Sequence, residues 1–291
     1  MNSYMSTNGN TFSIVVVMNL CRLNVFGGMY GIANAFNETK LLINPNIEEC
    51  CNYKKGTYPS LLENVSDISF FQDRAILAPT NDIVDSLNNF ILSMISGEKK
   101  TYLSADSPST HDENINGPDH ILTPEFLTTV KSSGLPNHEL NLKVGVPIML
   151  LRNIDQPLGL CNGTHLIITQ MGNFVLKAKI ISGNSIGQKV YIPRLTLSPS
   201  PSDTKLSFTF QHKQFPIMVS FAMTINKSQG QSLKNVGIYL PEPIFSHGQL
   251  YVALSCVTSR AGLKMLMCDD EGRVSNKTNN VVYKEVFQNL R

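Results

Sequence analysis

The sequence predicts an α/β domain that is interrupted by a small β barrel. One observation is an apolar run from Arg74 to Pro79, followed by Thr80-Asn81-Asp82 and then by apolar residues at helical spacing. Such a strand–turn–helix unit is typical of an open α/β sheet. A second observation is the β-rich pattern between Leu142 and Leu197, and a third is the return of α/β patterning after Phe215. No internal repeat competes with this interpretation.

The strand–turn–helix unit supplies the first candidate site. Its apolar positions between Ile83 and Ile95 follow the helical period, and Gly97 ends the helix. The turn lies at the carboxyl end of a strand and the amino end of a helix, where free backbone N–H groups favour phosphate binding. Thr80 and Asn81 are candidates for phosphate contacts. From their spacing alone, the plainer alternative is that they only cap the helix.

A polar loop is predicted from Ser104 to His120, and it contains the pair Asp112-Glu113. An acidic pair holds magnesium when it ends a buried apolar strand. The neighbours here are polar, so we interpret this pair as part of a solvated loop.

The β-rich region predicts a barrel of SH3-like size. Its short apolar runs are separated by the dipeptides Asn162-Gly163, Gly172-Asn173 and Gly183-Asn184, which are typical of hairpin turns. The predicted strands are Val146–Leu151, His165–Thr169, Asn173–Ile181 and Lys189–Ile192. The Ser198–Asp203 segment, SPSPSD, is expected to leave the barrel as a loop.

Two further segments carry residue types suited to phosphate chemistry. An apolar strand from Phe215 to Ile225 is predicted to end in Asn226-Lys227-Ser228-Gln229-Gly230, and Val236–Leu240 is another strand. Ser246 and Gln249 form a capping box for a helix that Gly262 would end, before a last strand at Leu263–Met267.

Composition limits the alternatives. At 42% hydrophobic residues the chain can form a core, and a formal charge of only +2 requires any phosphate-binding surface to be local. The six cysteines form no CxxC pair, so no metal site is expected. The early apolar run Ile14–Met18 is too short to span a bilayer, so neither a membrane partner nor secretion is predicted.

Six segments in order resemble the C-terminal part of PIF-type (petite integration frequency) ATP-dependent DNA helicases, in the form that Helitron-like transposons encode. They read RAILAPTNDIVDSLN, LKVGVPIMLLRN, LCNGT, FAMTINKSQGQS, FSHGQLYVALS and VTSRAGLK. The resemblance implies the second RecA-like domain of a superfamily-one helicase with an inserted SH3-like barrel, called 2B. The expected divisions are a leader at 1–56, RecA-like parts at 57–140 and 211–270, the 2B barrel at 141–210 and a tail at 271–291.

The resemblance also implies roles for individual residues. In such helicases ATP binds between two RecA-like domains, and single-stranded DNA crosses both. DNA-backbone contacts are implied at Thr80, Asn81, Thr224, Lys227 and Ser228, whose hydroxyl, amide and ammonium groups position phosphates without reading sequence. The nucleotide cleft is implied at Gln229, Gly230 and Arg260.

One position departs from the family pattern. Where the pattern reads YVALSRVTSR, this chain reads YVALSCVTSR, so Cys256 replaces the arginine finger, a group worth roughly a thousand-fold in rate. On a continuous helix, Gln249, Cys256 and Arg260 would lie on the same side of the helix. Arg260 would then partly substitute for the arginine finger. The plainer alternative is that Arg260, near the C-terminus of the helix, interacts favourably with the helix dipole. No GxxxxGK[ST] motif occurs either, so we expect the first RecA-like domain to be absent.

Three interpretations remain open. The chain is half of an ATP-dependent 5′–3′ DNA helicase, a non-catalytic module for single-stranded nucleic acid, or a decayed transposon relic. For the first, ATP and Mg²⁺ would bind only if a first RecA-like domain were supplied, for example in trans. The family further implies DNA repair, recombination or telomere contexts and a nuclear location.

Overall fold

The computed structural model describes residues 56–65, 67–108, 123–130, 132, 134–199, 208–268 and 274–283, together with the backbone of three two-residue strands that precede them. Nearly all of the expected leader, the pair Asp112-Glu113, Cys21, Cys50, Cys51, most of Ser198–Asp203 and most of the expected tail lie outside the described residues.

The described helices are α1 Leu61–Asn64, α2 Ile68–Gln72, α3 Asn81–Met94, α4 Pro124–Thr129 and α5 Gln249–Ser255. Two 3₁₀ helices cover Ile225–Ser228 and Arg260–Gly262. The strands are β1 Val25–Phe26, β2 Met29–Tyr30, β3 Thr39–Lys40, β4 Arg74–Ala78, β5 Lys100–Leu103, β6 Ala105–Pro108, β7 Glu139–Leu142, β8 Pro147–Leu150, β9 His165–Met171, β10 Val175–Ile180, β11 Lys189–Pro193, β12 Leu195–Leu197, β13 Phe210–Gln214, β14 Ile217–Val219, β15 Ala222–Thr224, β16 Asn235–Leu240, β17 Leu263–Cys268, β18 Val274–Ser275 and β19 Lys277–Thr278.

These elements form two units. The first combines the described residues up to Asn64 with Asp73–Leu87 and the described residues from Phe221 onward. The second comprises Val65–Gln72 and the described part of Asn88–Ser220, so it interrupts the first along the chain. This division differs from the expected barrel at 141–210, because strands β5 and β6 already belong to the second unit.

The first unit is built on a five-stranded sheet in the order β15-β4-β16-β17-β18. Its first four strands are parallel and β18 is antiparallel. The residues from Ala75 to Ala78 in β4 are fully buried, as expected for a parallel strand that is covered on both faces. The predicted strands at Arg74–Pro79, Val236–Leu240 and Leu263–Met267 are confirmed.

The helix after β4 is also confirmed, with bounds Asn81–Met94. The backbone N–H of Val84 donates to the carbonyl of Thr80 at 3.2 Å, which makes Thr80 the residue at the helix start. The apolar positions Val84, Leu87 and Ile91 are buried on one side, while Asn81 is exposed.

The second unit is antiparallel throughout its described strands. A five-stranded sheet runs β11-β10-β9-β8-β14, a three-stranded sheet runs β12-β13-β6, and β5 pairs with β7. The inward side chains of the five-stranded sheet and of the β5–β7 pair share one core that includes Tyr102, Leu142, Ile168 and Phe215. The rings of Tyr102 and Phe215 meet edge to face with centroids 5.1 Å apart. This β-rich unit confirms the inserted small β fold.

Two sequence predictions fail in this region. The polar segment from Ser104 is not all loop, because Ala105–Pro108 forms β6 by pairing with β13. The run Phe215–Ile225 is not one strand. It divides into β14, which pairs with β8, and β15, which pairs with β4 in the parallel sheet. Both errors arise because the pairing partners are distant in sequence.

Gly262 was expected to end a helix, but in the structure it lies where two backbone segments approach each other closely. Strand β17 starts directly after it, and a Cβ atom at this position would overlap the backbone carbonyl of Lys234 at the entrance to β16. Only glycine permits this close approach of two backbones.

We expect Gly262→Ala to lower the free energy of unfolding by about 1–3 kcal/mol, because a methyl group forces the two backbone segments apart. Urea denaturation followed by circular dichroism measures this change. The matched control is Ala261→Ser, since Ala261 is the exposed neighbour in the same turn. Equal denaturation midpoints for the two variants would contradict the close approach.

Candidate nucleic-acid and nucleotide interface

The first cluster of candidate residues lies where two neighbouring strands end. Strands β4 and β15 are parallel, and Thr224 pairs in register with Ala78. Thr80 and Asn81 follow β4, so they and Thr224 lie at the same edge of the sheet. Asn81 is exposed, Thr80 is half-buried and Thr224 retains only 8% exposure. The structure therefore brings together two segments that are far apart in sequence.

The segment after β15 forms a 3₁₀ helix, Ile225–Ser228. Lys227 is half-buried, while Asn226 beside it is exposed. Ser228 is fully buried, and its hydroxyl donates to the carbonyl of Ile225 at 2.7 Å. A direct contact between Ser228 and DNA does not fit this burial; the hydroxyl instead bonds within the turn that contains Lys227.

Gln229 and Gly230 continue from this turn and are exposed. Gly230 has a φ of +79°, and a Cβ atom there would meet nothing within 4 Å. Its glycine is required by the left-handed backbone rather than by a close neighbour. The N–H of Gln231 then donates to the carbonyl of Ser228 at 3.0 Å, which closes the turn.

Cys256 lies inside the core of the first unit, with 1% of its surface exposed. Its sulfur is 3.0 Å from the carbonyl oxygen of Ser228, 3.2 Å from the hydroxyl of Ser228 and 3.1 Å from the carbonyl of Val252. One S–H donates to one of these acceptors at a time. The thiol thus joins the end of α5 to the turn that carries Lys227.

Cys256 is uncharged, whereas an arginine would be positively charged. Burial raises the pKa of its thiol, against a smaller lowering by the hydrogen bond with Ser228. The side chain is therefore neutral at physiological pH, and it supplies no positive charge to a phosphate.

Arg260 does not share a helical stripe with Cys256, so that prediction is wrong. Helix α5 ends at Ser255, Ser259 has an extended backbone, and Arg260 begins a separate 3₁₀ helix. Its side chain is exposed. The break in the helix removes the geometric reason to expect that Arg260 substitutes for the arginine of the family pattern. Arg260 is not at the C-terminus of α5 either, so the helix-dipole alternative also fails.

The capping box is also wrong, and its failure reveals a role of Gln249 that sequence reasoning missed. Helix α5 begins at Gln249 after Gly248, with no side-chain cap. Gln249 is buried; its Nε2 donates to the carbonyl of Pro79 at 3.4 Å, and its Oε1 accepts from the N–H of Phe245 at 3.3 Å. Gln249 thus holds the backbone next to Thr80. A polar residue on the apolar face of a predicted helix was the available signal.

The second unit contains a polar cluster that the sequence analysis did not single out. Asp106 accepts from Ser104 Oγ at 2.9 Å, and His212 Nδ1 lies 2.7 Å from Asp106 Oδ1. Ser104 Oγ is also 2.6 Å from His138 Nδ1. Burial lowers the pKa of His212, while Asp106 opposes that shift. The inward position of His212 on β13, between Phe210 and Gln214, was the missed signal.

Two further findings concern metal ions and membrane-spanning helices. Among the described residues there is no group of three or more His, Cys, Asp or Glu side chains arranged to hold a metal ion. None of the described helices combines the length and apolar character that crossing a membrane requires.

A parallel sheet whose chain is interrupted by an antiparallel β unit fits a RecA-like domain with an inserted 2B barrel. A family model described as DNA helicase Pif1, 2B domain, matches residues 125–171. The Pif1 helicase from Candida albicans shares this fold with a TM-score of 0.53 at 24% identity, covering 84% of this chain and 57% of that one. A Pif1 helicase from Bacteroides, solved with ADP-AlF3 and single-stranded DNA, gives a TM-score of 0.52 at 19% identity over 86% of this chain and 54% of that one.

The sequence is also similar to that of PIF-type helicases. The ATP-dependent DNA helicase PIF1 of Danio rerio is 28% identical over 213 residues, which is 72% of this chain and 30% of the relative. The human PIF1 is 30% identical over 149 residues, covering 50% of this chain and 22% of the relative. The chain thus spans less than a third of the length of these relatives.

We expect Cys256 to be the slowest of the described cysteines to react with iodoacetamide, because burial both shields the thiol and raises its pKa. Cys161 and Cys268 are partly exposed and serve as internal controls. Mass spectrometry of the alkylated peptides measures the three rates, and unfolding in urea should make them similar. Rapid alkylation of Cys256 in the folded protein would contradict its position in the core.

Proposed function

We propose that this chain is a PIF-type helicase module that binds single-stranded DNA along the edge formed by the ends of β4 and β15. The observation that carries this proposal is the parallel register of Ala78 with Thr224. It gathers hydroxyl, amide and ammonium groups at one edge, which is the chemistry that binds phosphates independently of sequence. The Bacteroides fold neighbour, crystallised with single-stranded DNA, supports this choice of ligand.

Within that module we assign direct contacts to Thr80, Asn81 and Lys227. Thr224 and Ser228 are buried and hold the backbone between them in place. Gln249 does the same for the loop before Thr80 through its bond to Pro79. In this proposal, buried side chains hold the backbone in place, and the neighbouring exposed side chains contact the DNA.

The same module would form one wall of a nucleotide cleft through Gln229, Gly230 and Arg260. Exposed Arg260 suits a phosphate, but neutral, buried Cys256 does not supply the charge of a finger. Among the described residues, no group of three or more His, Cys, Asp or Glu side chains is arranged to hold Mg²⁺. These residues do not fit a full site for ATP and Mg²⁺ by themselves, so we propose that a first RecA-like domain, in the same protein or in trans, must complete it.

In that completed form the proposed activity is ATP-dependent DNA unwinding in the 5′ to 3′ direction, in DNA repair, recombination, telomere or transposon contexts in the nucleus. The burial of Cys256 favours a second candidate, a module that binds single-stranded nucleic acid without catalysis. ATP turnover distinguishes these two functions.

We expect Lys227→Ala to weaken binding to single-stranded DNA about equally across sequences and to reduce the magnitude of the salt slope by about 0.7, the value for one lost phosphate contact. Fluorescence anisotropy with labelled oligonucleotides of different sequence, across about 50–200 mM salt, measures both quantities. The control is Lys234→Ala, because Lys234 is exposed and pairs with Asp73 at 2.7 Å. An affinity and slope equal to those of this control would remove Lys227 from the site.

We expect the purified 291-residue polypeptide to hydrolyse ATP at background rate even with saturating single-stranded DNA, since Cys256 provides no charge for phosphoryl transfer. Phosphate release with and without DNA measures this rate. Lys227→Ala prepared in parallel identifies contaminants, whose activity would be the same in both samples. Hydrolysis that DNA stimulates in the wild type and not in the variant would refute the non-catalytic interpretation.

A further inference from the structure

The outer face of the hairpin formed by β10 and β11 carries residues that the barrel core does not use. Along β10 the buried side chains Leu176, Ala178 and Ile180 alternate with outward positions, as a half-buried strand requires. We define the hairpin face as the outward residues of this hairpin and of its preceding turn, namely Phe174, Val175, Lys177, Lys179, Lys189 and Tyr191. We infer that the hairpin face is a second contact surface for single-stranded nucleic acid.

The charge of this face is of one sign. From Gln156 to Ser202 the chain contains no Asp or Glu, whereas it contains Lys177, Lys179, Lys189 and Arg194. This concentration of positive charge stands out in a chain whose formal charge is only +2. A local basic surface is the electrostatic requirement for binding a polyanion.

The register places two of these lysines against each other. Lys179 lies directly opposite Lys189 across the β10–β11 pair. Like charges at opposite positions destabilise a sheet, so the folded protein gains nothing from this arrangement by itself. A phosphate between the two ammonium groups would convert the repulsion into attraction.

Protection of a sheet edge does not account for these lysines. Strand β11 is at the edge of its sheet, where a lysine such as Lys189 prevents pairing with another chain. Strand β10 is paired on both sides, with β9 and with β11. Lys177 and Lys179 therefore lie on an interior strand, which has no free edge to protect.

Exposed aromatic rings accompany the charges. Tyr191 is 63% exposed, and Lys177 Nζ lies 5.8 Å from the centroid of its ring. Phe174, in the turn before β10, is 79% exposed. At the same turn Lys100 Nζ bonds to Asn173 Oδ1 at 2.7 Å, which adds a further ammonium group near Phe174.

Aromatic rings beside cations match the two parts of a single-stranded nucleic acid. Unpaired bases stack on exposed rings, and the phosphates neutralise the lysines, both without sequence preference. A duplex hides the flat faces of its bases, so the aromatic residues favour the single strand. This inference rests on the proposed function only for the class of ligand, since its residues lie in the other unit.

The experiment compares hairpin variants with a matched control on the full chain. The variants are Lys177→Glu combined with Lys189→Glu, and Tyr191→Ala; the control is Lys213→Glu, an exposed lysine on β13 of the same unit. The probe is a fluorescein-labelled oligothymidylate, measured by anisotropy in a salt series. We expect a loss of about tenfold in affinity for the charge reversal, a comparable loss for Tyr191→Ala with little change in salt slope, and no change for the control.

Each other outcome overturns the inference in a distinguishable way. If Lys227→Ala weakens binding and the hairpin variants behave like Lys213→Glu, the hairpin face is not a contact and the proposed function survives. If the wild-type chain does not bind the oligonucleotide, both fail. If the hairpin variants lose binding only to phosphatidylserine vesicles, the face binds membranes instead.

A second measurement does not depend on the variants folding. Photo-cross-linking of the wild-type chain to an oligonucleotide that contains 5-iodouracil, followed by mass spectrometry, should modify Tyr191 or Phe174. Cross-links confined to peptides of the first unit would overturn the inference. Circular dichroism and thermal melting of each variant establish which of them are folded.

Discussion

The candidate site depends on the parallel pairing of β15 with β4. Strand β15 has only three residues, yet it fixes where the following turn begins. Its position is held from the residue before it, because the carbonyl of Phe221 accepts from the N–H of Ile76 at 3.0 Å and from the hydroxyl of Tyr58 at 2.7 Å. A slip in this register would separate the turn of Lys227 from the loop of Thr80.

The burial of Tyr58 helps to maintain its hydrogen bond to Phe221. Burial raises the pKa of the phenol, so the hydroxyl keeps the proton that it donates to Phe221. The ring of Tyr58 also meets that of Phe221 edge to face, at 6.1 Å between centroids. The hydrogen bond and the ring contact of Tyr58 thus stabilise the start of β15, the strand that leads to the turn of Lys227.

Sequence patterns predicted the elements that carry a clear apolar run, a helical hydrophobic period or a turn dipeptide. The strand at Arg74, the helix after Thr80 and the hairpin turns follow from hydrophobic period and turn chemistry. The division of Phe215–Ile225 could not be predicted in this way, because the N–H of Ser220 pairs with the carbonyl of Pro147, far away in sequence. Likewise β6 is polar and becomes a strand only through its pairing with β13.

The same distinction between local patterns and tertiary contacts applies to the candidate site residues. Sequence reasoning selected Thr80, Asn81 and Lys227 as candidates from their residue types, and their role stays a prediction. It could not show that Ser228 is buried, because that follows from the turn and from packing against Cys256. It also placed Arg260 on a helix that in fact ends at Ser255. Side-chain identity is local information, whereas exposure and the end of a helix depend on tertiary contacts.

Cys256 shows how one substitution separates structure from chemistry. A thiol at this position is small enough to lie in the core and still hydrogen-bond to Ser228. Its place therefore supports the turn of Lys227, and under the proposed function the neutral thiol supplies no positive charge for phosphoryl transfer. Under the proposed function, such a chain would keep the turn that contacts a nucleic acid strand and would lack an arginine finger for hydrolysis, so DNA binding and ATP turnover are separate properties to measure.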